Sequence, residues 1–261
     1  MLSERQKREL EFYEQFSQRN ISPTVSFASI SGKKARPGNS YWHVISVVKQ
    51  NFRSSNQKLL DFGCGKGDCS VIFSRIGYEV FGFDLSSNNV AIAKRLAQQY
   101  GVTERTHFQV GVAEELDYPS DFFDAIVGTD ILHHVEISRA LSECSRVLKE
   151  GGLAIFHEPM RVPVFDALRE TKFGTWLVPK VVSLERHVTQ DERKLTVNDL
   201  ETIGSIGGNC SIERFLLFSR LDRFITKGKR PEFLEMVDYY LLKWLPFLKS
   251  FAGVVVIVLR K

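Results

Sequence analysis

One stretch, Leu59-Leu60-Asp61-Phe62-Gly63-Cys64-Gly65-Lys66-Gly67, constrains the fold of this chain more than any other. A short apolar run enters a turn with glycine at every second position and leaves it in a helix-like segment, 68–76. Glycine tolerates positive φ and leaves bare backbone for a ligand to press against. The helix that follows offers unpaired N–H groups to a polar, partly anionic ligand. A second apolar run ends at Asp84, where a carboxylate can accept both hydroxyls of a ribose. This is the opening of a doubly wound α/β sheet with a nucleoside-bearing ligand at its glycine turn.

Two cofactor classes use that geometry, and spacing separates them. The dinucleotide fingerprint G-x-G-x-x-G needs a third glycine where this chain has Asp68. The chain reads D-x-G-x-G-x-G instead, which argues against a nicotinamide dinucleotide.

Downstream, short apolar strands alternate with helices. Strands are expected at 58–62, 79–83, 106–110, 123–127 and 153–157, with helices at 68–76, 88–100 and 137–149. The last helix buries Ile137, Leu141, Cys144 and Leu148 and is expected to end at Gly151-Gly152 in a left-handed cap. Strands apolar on both faces and alternating with helices form a parallel sheet covered on both sides. Two more strands, 211–218 and 254–260, bring the count to seven, the final one antiparallel beside an earlier strand. Residues 1–50 read as a helical cover, with helices at 4–19 and 41–49. Thr196 to Asp199 resembles a capping box opening a helix to about Ile203. Residues 160–200, rich in proline, arginine and aromatics such as Phe173 and Trp176, read as a cap inserted over the sheet within one domain, 1–261.

Further motifs follow in order: Gly82-Phe83-Asp84-Leu85-Ser86, Gly111-Val112-Ala113-Glu114-Glu115-Leu116, Phe122-Phe123-Asp124, Leu132-His133-His134, and Leu148-Lys149-Glu150-Gly151-Gly152-Leu153. Over about 40–160 the chain resembles the class I S-adenosylmethionine-dependent methyltransferases. It is most similar to the small-molecule subgroup that includes the ubiquinone/menaquinone enzymes. The resemblance implies S-adenosylmethionine as cofactor, a loop shaped by Gly63, Gly65 and Gly67, and Asp61 orienting that loop. It also implies Asp84 on the ribose, Leu85 on the adenine, and Tyr13 closing over the methionine part. One position departs from the family: Val112 stands where an aspartate usually accepts the adenine amino group. Ala113 would then hold the ring through its backbone, with Glu114 as the substitute acceptor.

Ligands of open α/β sheets sit at the carboxyl ends of the strands. There the chain places Thr129, Asp130, His133 and His134, and, one strand over, His157 and Glu158. Similar small-molecule enzymes use a histidine after the fourth strand and an acid after the fifth. That makes His134 the expected general base, with Glu158 as its partner or rival and His133 close behind.

Bulk properties fit a small-molecule enzyme. Thirty-five basic residues against 31 acidic ones give +4, too slight an excess for a nucleic-acid footprint. The N/D-P-P-Y/F motif of base-amino methylation is absent, since the chain reads Gly128-Thr129-Asp130-Ile131, and no cysteine follows a proline. Cys64, Cys69, Cys144 and Cys210 form no C-x-x-C pair, so no metal site is expected. A charged N-terminus and a longest apolar run, 251–259, far below the ~20 residues of a spanning helix, lead to an expected cytoplasmic protein with no membrane partner. The expected reaction is O- or N-methylation of a small organic acceptor. C-methylation of a quinol- or polyketide-like acceptor is the nearest alternative; an NAD(P) oxidoreductase or a non-catalytic cofactor-binding module is the alternative of another class.

Overall fold

A computed structural model describes residues 2–19, 36–52, 57–163, 193–207, 209–219 and 231–261. Seven strands form one sheet in the order β3-β2-β1-β4-β5-β7-β6. They are β1 (Lys58–Phe62), β2 (Glu79–Asp84), β3 (Thr106–Val110), β4 (Phe123–Thr129), β5 (Leu148–Pro159), β6 (Asn209–Phe215) and β7 (Val254–Arg260). Strands β1 to β5 are parallel. Strand β7 slots between β5 and β6 antiparallel to both, in the register Ile155↔Val258 and Ser211↔Val258. The doubly wound, mostly parallel sheet with one reversed strand near the end of the chain is therefore what the alternation of elements foretold.

Helices cover both faces: α1 (Glu4–Arg19), α2 (Ser40–Asn51), α3 (Asp68–Ile76), α4 (Ser87–Gln99), α5 (Ile137–Val147), α6 (Val197–Gly207) and α7 (Pro231–Trp244). One face packs Leu60, Phe62, Phe156 and Ile257 under α5 and α6. The other packs Leu59, Val127, Ile155 and Val256 under α2 and α3. Alternate residues of each central strand serve opposite cores, which explains why these strands read as unbroken apolar runs. The capping box is present: Asp199 N donates to Thr196 Oγ1 at 3.3 Å and Thr196 N to Asp199 Oδ2 at 2.7 Å.

Two sequence expectations need correction. Helix α5 stops at Val147 instead of running to the Gly151-Gly152 pair. Leu148 already pairs with Phe123, and the ladder slips before resuming at Ala125↔Leu153. Gly151, at φ 76°, serves that slip, so its left-handed conformation belongs to a strand irregularity and not to a helix cap. The stretch between β6 and β7, given no element from sequence, contains α7 and a short 3-10 segment, Pro246–Phe251.

Most of the expected cap insertion, with Phe173 and Trp176, lies outside the described residues. Its two ends meet at the sheet, where Leu195 N donates to Pro159 O at 3.0 Å and Arg161 N to Leu195 O at 2.8 Å.

Candidate active site

The strand order reverses between β1 and β4, and the crevice outside their carboxyl ends is where ligands of open α/β sheets bind. A cavity of about 200 Å³ lies there, lined by Gly63, Gly65, Asp84, Leu85, Ala113, Glu114, Asp130, Ile131 and His134, with Gln6, Glu9 and Tyr13 above them.

Its floor is the glycine turn. Gly63, Gly65 and Gly67 have φ of 73°, 51° and 88°, all in the region that side chains disfavour. A Cβ on Gly63 would stand 2.7 Å from the Ile131 side chain, and one on Gly67 2.8 Å from Ala93 Cβ. Gly65 differs, because a Cβ there would meet nothing within 4 Å. Its bare face opens toward the cavity, and no protein side chain among the described residues fills the space beside it.

Two carboxylates fix the turn. Asp84 accepts from Gly65 N at 3.0 Å and Ser86 N at 2.9 Å, and Asn89 Nδ2 donates to it at 3.0 Å. Desolvation raises its pKa despite those bonds. Asp61 is buried below the turn and accepts from Ser70 Oγ at 2.5 Å, tying β1 to α3. Burial pushes its carboxyl up to about 7. Neither Asp61 nor Gly67 lines the cavity; both act beneath its floor.

Helix α1 closes the opposite side. Gln6 Nε2 donates to Glu114 Oε2 at 2.9 Å, and Glu114 Oε1 accepts from Glu136 N at 2.9 Å. Glu114, expected as the adenine acceptor, is thus engaged with α1 and the start of α5 while still facing the cavity. Glu14 accepts from Ser86 Oγ at 2.8 Å and from Asn88 Nδ2 at the N-terminus of α4, a favourable place for a carboxylate.

The adjacent histidines part company. His133 is buried, and its Nδ1 lies 2.6 Å from Glu158 Oε2. The other Glu158 oxygen accepts from Ile131 N at 2.8 Å and Leu132 N at 2.7 Å. Glu158 is fully buried, and neither it nor His133 lines the cavity. The expected pairing of Glu158 with His134 does not occur, because β5 aims the carboxylate at the backbone turn after β4. His134 instead faces the cavity, with Nε2 3.1 Å from Tyr13 Oη and Nδ1 3.2 Å from Glu9 Oε2.

Sequence reasoning placed Asp130 at the strand end but gave it no role. It holds φ 55°, a strained conformation that functional sites often store. His157 Nδ1 lies 3.5 Å from its carboxylate and Tyr41 Oη donates to it at 3.4 Å, while the Tyr41 ring stacks on His157 at 4.1 Å. Burial pushes the Asp130 carboxyl up, but the bond and charge of His157, the charge of His133 and the Tyr41 bond hold it below the usual range. Glu9, Gln6 and Tyr41 escaped sequence reasoning altogether. The available signal was the polar stripe Gln6, Glu9, Tyr13, which shares one face of an otherwise amphipathic helix.

Comparison with known proteins matches residues 60–156 to the methyltransferase domain family. The chain is 36% identical over 123 residues to an uncharacterized methyltransferase, YcgJ, of Bacillus subtilis (strain 168), covering 46% of this chain and 48% of that one. It is 34% identical over 134 residues to a ubiquinone/menaquinone biosynthesis C-methyltransferase of Vibrio vulnificus (strain YJ016), covering 49% and 51%. The chain thus spans about half the length of the curated relatives it matches. Its fold is similar to that of a geranyl diphosphate C-methyltransferase from Streptomyces coelicolor A3(2), solved with Mg2+, geranyl diphosphate and S-adenosyl-L-homocysteine. The TM-score is 0.62 at 14% identity, over 99% of this chain and 98% of that one. The matched stretch carries the glycine turn, Asp84, Glu114 and both histidines; helix α1, with Glu9 and Tyr13, precedes it.

Proposed function

We propose that this chain binds S-adenosylmethionine in the cavity and methylates a hydroxyl or amine of a small, partly apolar molecule. The observation that carries the reading is Gly65, left-handed and facing open space, hydrogen-bonded to a carboxylate at the end of β2. When bound, S-adenosylmethionine supplies an electrophilic methyl group, whose bond to sulfur breaks as the bond to the acceptor forms. The chain's task is then to bind, orient and exclude water. In this reading Asp84 holds the ribose, Leu85 and Ala113 flank the adenine, and Tyr13 covers the methionine side. His134 is the base for an acceptor that must lose a proton, and Glu158 holds the turn that presents it.

Relatives named for ubiquinone and menaquinone biosynthesis support a small acceptor over a nucleic acid. A second reading, C-methylation of a quinol-like acceptor, is favoured by the C-methyltransferase among them. Four unpaired cysteines support a reducing, cytoplasmic setting. Among the described residues no helix is long and apolar enough to cross a membrane.

Calorimetry tests the cofactor directly. S-adenosylhomocysteine is expected to bind with a micromolar dissociation constant and NAD not at all; tight NAD binding without S-adenosylhomocysteine binding overturns the reading.

A further inference from the structure

We propose that Glu9 is the carboxylate of a Tyr13–His134–Glu9 proton relay, so that helix α1 supplies both partners of the general base. The proposal deepens the reading above and rests on it.

Glu9 is only 4% exposed. A carboxylate removed from water is costly unless a partner compensates it. Its Oε2 stands 3.2 Å from His134 Nδ1, close enough for its charge to act on the ring, although in this geometry neither atom has a hydrogen-bond partner among the described residues. The other ring nitrogen, Nε2, stands 3.1 Å from Tyr13 Oη. Glu9 and Tyr13 are four residues apart, so the helical repeat alone sets them one above the other on the face that meets the imidazole. All three residues line the cavity.

Several other charged and titratable groups nearby have partners elsewhere, although the buried Nε of Arg5 has none among the described residues. His133, whose ring centre is 4.2 Å from that of His134, pairs with Glu158. Arg5 donates to the His133 carbonyl at 3.4 Å, Glu114 holds Gln6 and Glu136 N, and Asp130 faces His157 and Tyr41. Glu9 is therefore the carboxylate at His134, in place of the Glu158 that the resemblance pointed to.

A carboxylate only accepts, so it selects the tautomer with the proton on Nδ1 and leaves the Nε2 lone pair to the Tyr13 hydroxyl. The acceptor's proton then arrives at Tyr13 Oη while the proton already on Tyr13 passes to His134 Nε2. The tyrosine ends neutral, and the charge rests on an imidazolium facing the Glu9 carboxylate. Glu9 touches no reacting atom, so its role is that of a positioning residue. A residue that merely pins α1 to the domain would not set that tautomer.

The test is nitrogen NMR on the full chain carrying 15N-histidine, with S-adenosylhomocysteine added, at about pH 8, where an unperturbed imidazole is neutral. The His134 signals are assigned by their loss in His134→Asn. In the wild type His134 is expected to carry its proton on Nδ1. In Glu9→Leu the Nδ1–H form is lost as the major species, because Nδ1 then faces an apolar group and Nε2–H can donate to Tyr13. A wild-type proton on Nε2 overturns the relay, and does so even where Glu9→Leu fails to fold. An unchanged tautomer in a folded Glu9→Leu overturns it equally. Calorimetry on the same samples separates the two levels: S-adenosylhomocysteine binding with the wrong tautomer removes the relay alone, whereas no binding removes the cofactor reading and the relay with it.

Discussion

The two walls of the cavity are built by different means. The glycine-turn wall comes from one contiguous stretch, 59–67, plus a single carboxylate at the end of the next strand. The opposite wall gathers Glu9 and Tyr13 from α1 and Asp130 and His134 after β4, with Tyr41 of α2 and His157 of β5 behind Asp130, outside the lining. A turn that grips backbone needs particular φ values, and those leave a glycine pattern in the sequence. A wall made of side-chain pairs needs only that distant residues meet, and no local pattern records the meeting. His133 and His134 show the consequence. They are neighbours in sequence, yet one is packing and the other faces the ligand space.

The sharpest way to break that contrast is to treat the two histidines' carboxylates as alternatives. Glu158→Ala leaves His133 and two backbone N–H groups buried without a partner. It is expected to cost about 3–5 kcal/mol of stability, read from urea unfolding. His134→Ala is expected to do the reverse. Stability falls by less than in Glu158→Ala, by about 1–3 kcal/mol as Glu9 loses its neighbour, while kcat with a phenol or catechol probe falls about 10²–10⁴-fold. Equal loss of stability in both variants would erase the distinction between the two histidines.

The strand positions, the reversed last strand, the glycine turn and Asp84 were legible because each rests on a period, a fixed spacing or a required backbone angle. The choice between Glu158 and Glu9 was not. Both are acids within reach of the Leu-His-His turn by topology, and only the direction in which β5 aims its side chain settles which histidine Glu158 meets. The end of α5 was misread for a related reason. A glycine with positive φ looks the same in sequence whether it ends a helix or relieves a strand slip.

On the glycine wall the expected effects are smaller and fall on affinity as well as stability. Asp84→Asn removes the charge and keeps one acceptor oxygen, so either Gly65 N–H or Ser86 N–H is left facing an amide NH2. S-adenosylhomocysteine affinity should drop by about 1.5–3 kcal/mol, accompanied by a loss of stability of about 1–3 kcal/mol from the unsatisfied loop donor. An unchanged dissociation constant would place the ribose elsewhere. Gly65→Ala is the cleaner probe of the turn, because its new methyl meets no protein atom within 4 Å. It should cost about 1–2 kcal/mol of stability from the left-handed backbone alone and weaken ligand binding as well. Gly63→Ala should cost more, since its methyl would lie 2.7 Å from Ile131.

The comparison that sets the two walls most directly against each other is in how each titrates. Burial raises Asp61 to about 7, against 3.8 for the ordinary group. Between about pH 4 and 7 the folded state therefore keeps a proton that the unfolded chain has lost, and Asp61 makes stability fall as pH rises through that window. Asp130 has the opposite sign. Burial raises it, but His157, His133 and Tyr41 more than compensate and hold it below the usual carboxylate value. Its contribution is complete above that ordinary value and is lost as pH falls through the folded one. Its carboxylate is 49% exposed, so solvent screening keeps the slope shallow. Urea midpoints across a pH series should show Asp61→Asn flattening the curve between about pH 4 and 7, and Asp130→Asn flattening only the acid limb below it. Curves for both variants that run parallel to the wild type would mean that neither carboxylate is coupled to folding. The two walls would then differ in geometry but not in charge.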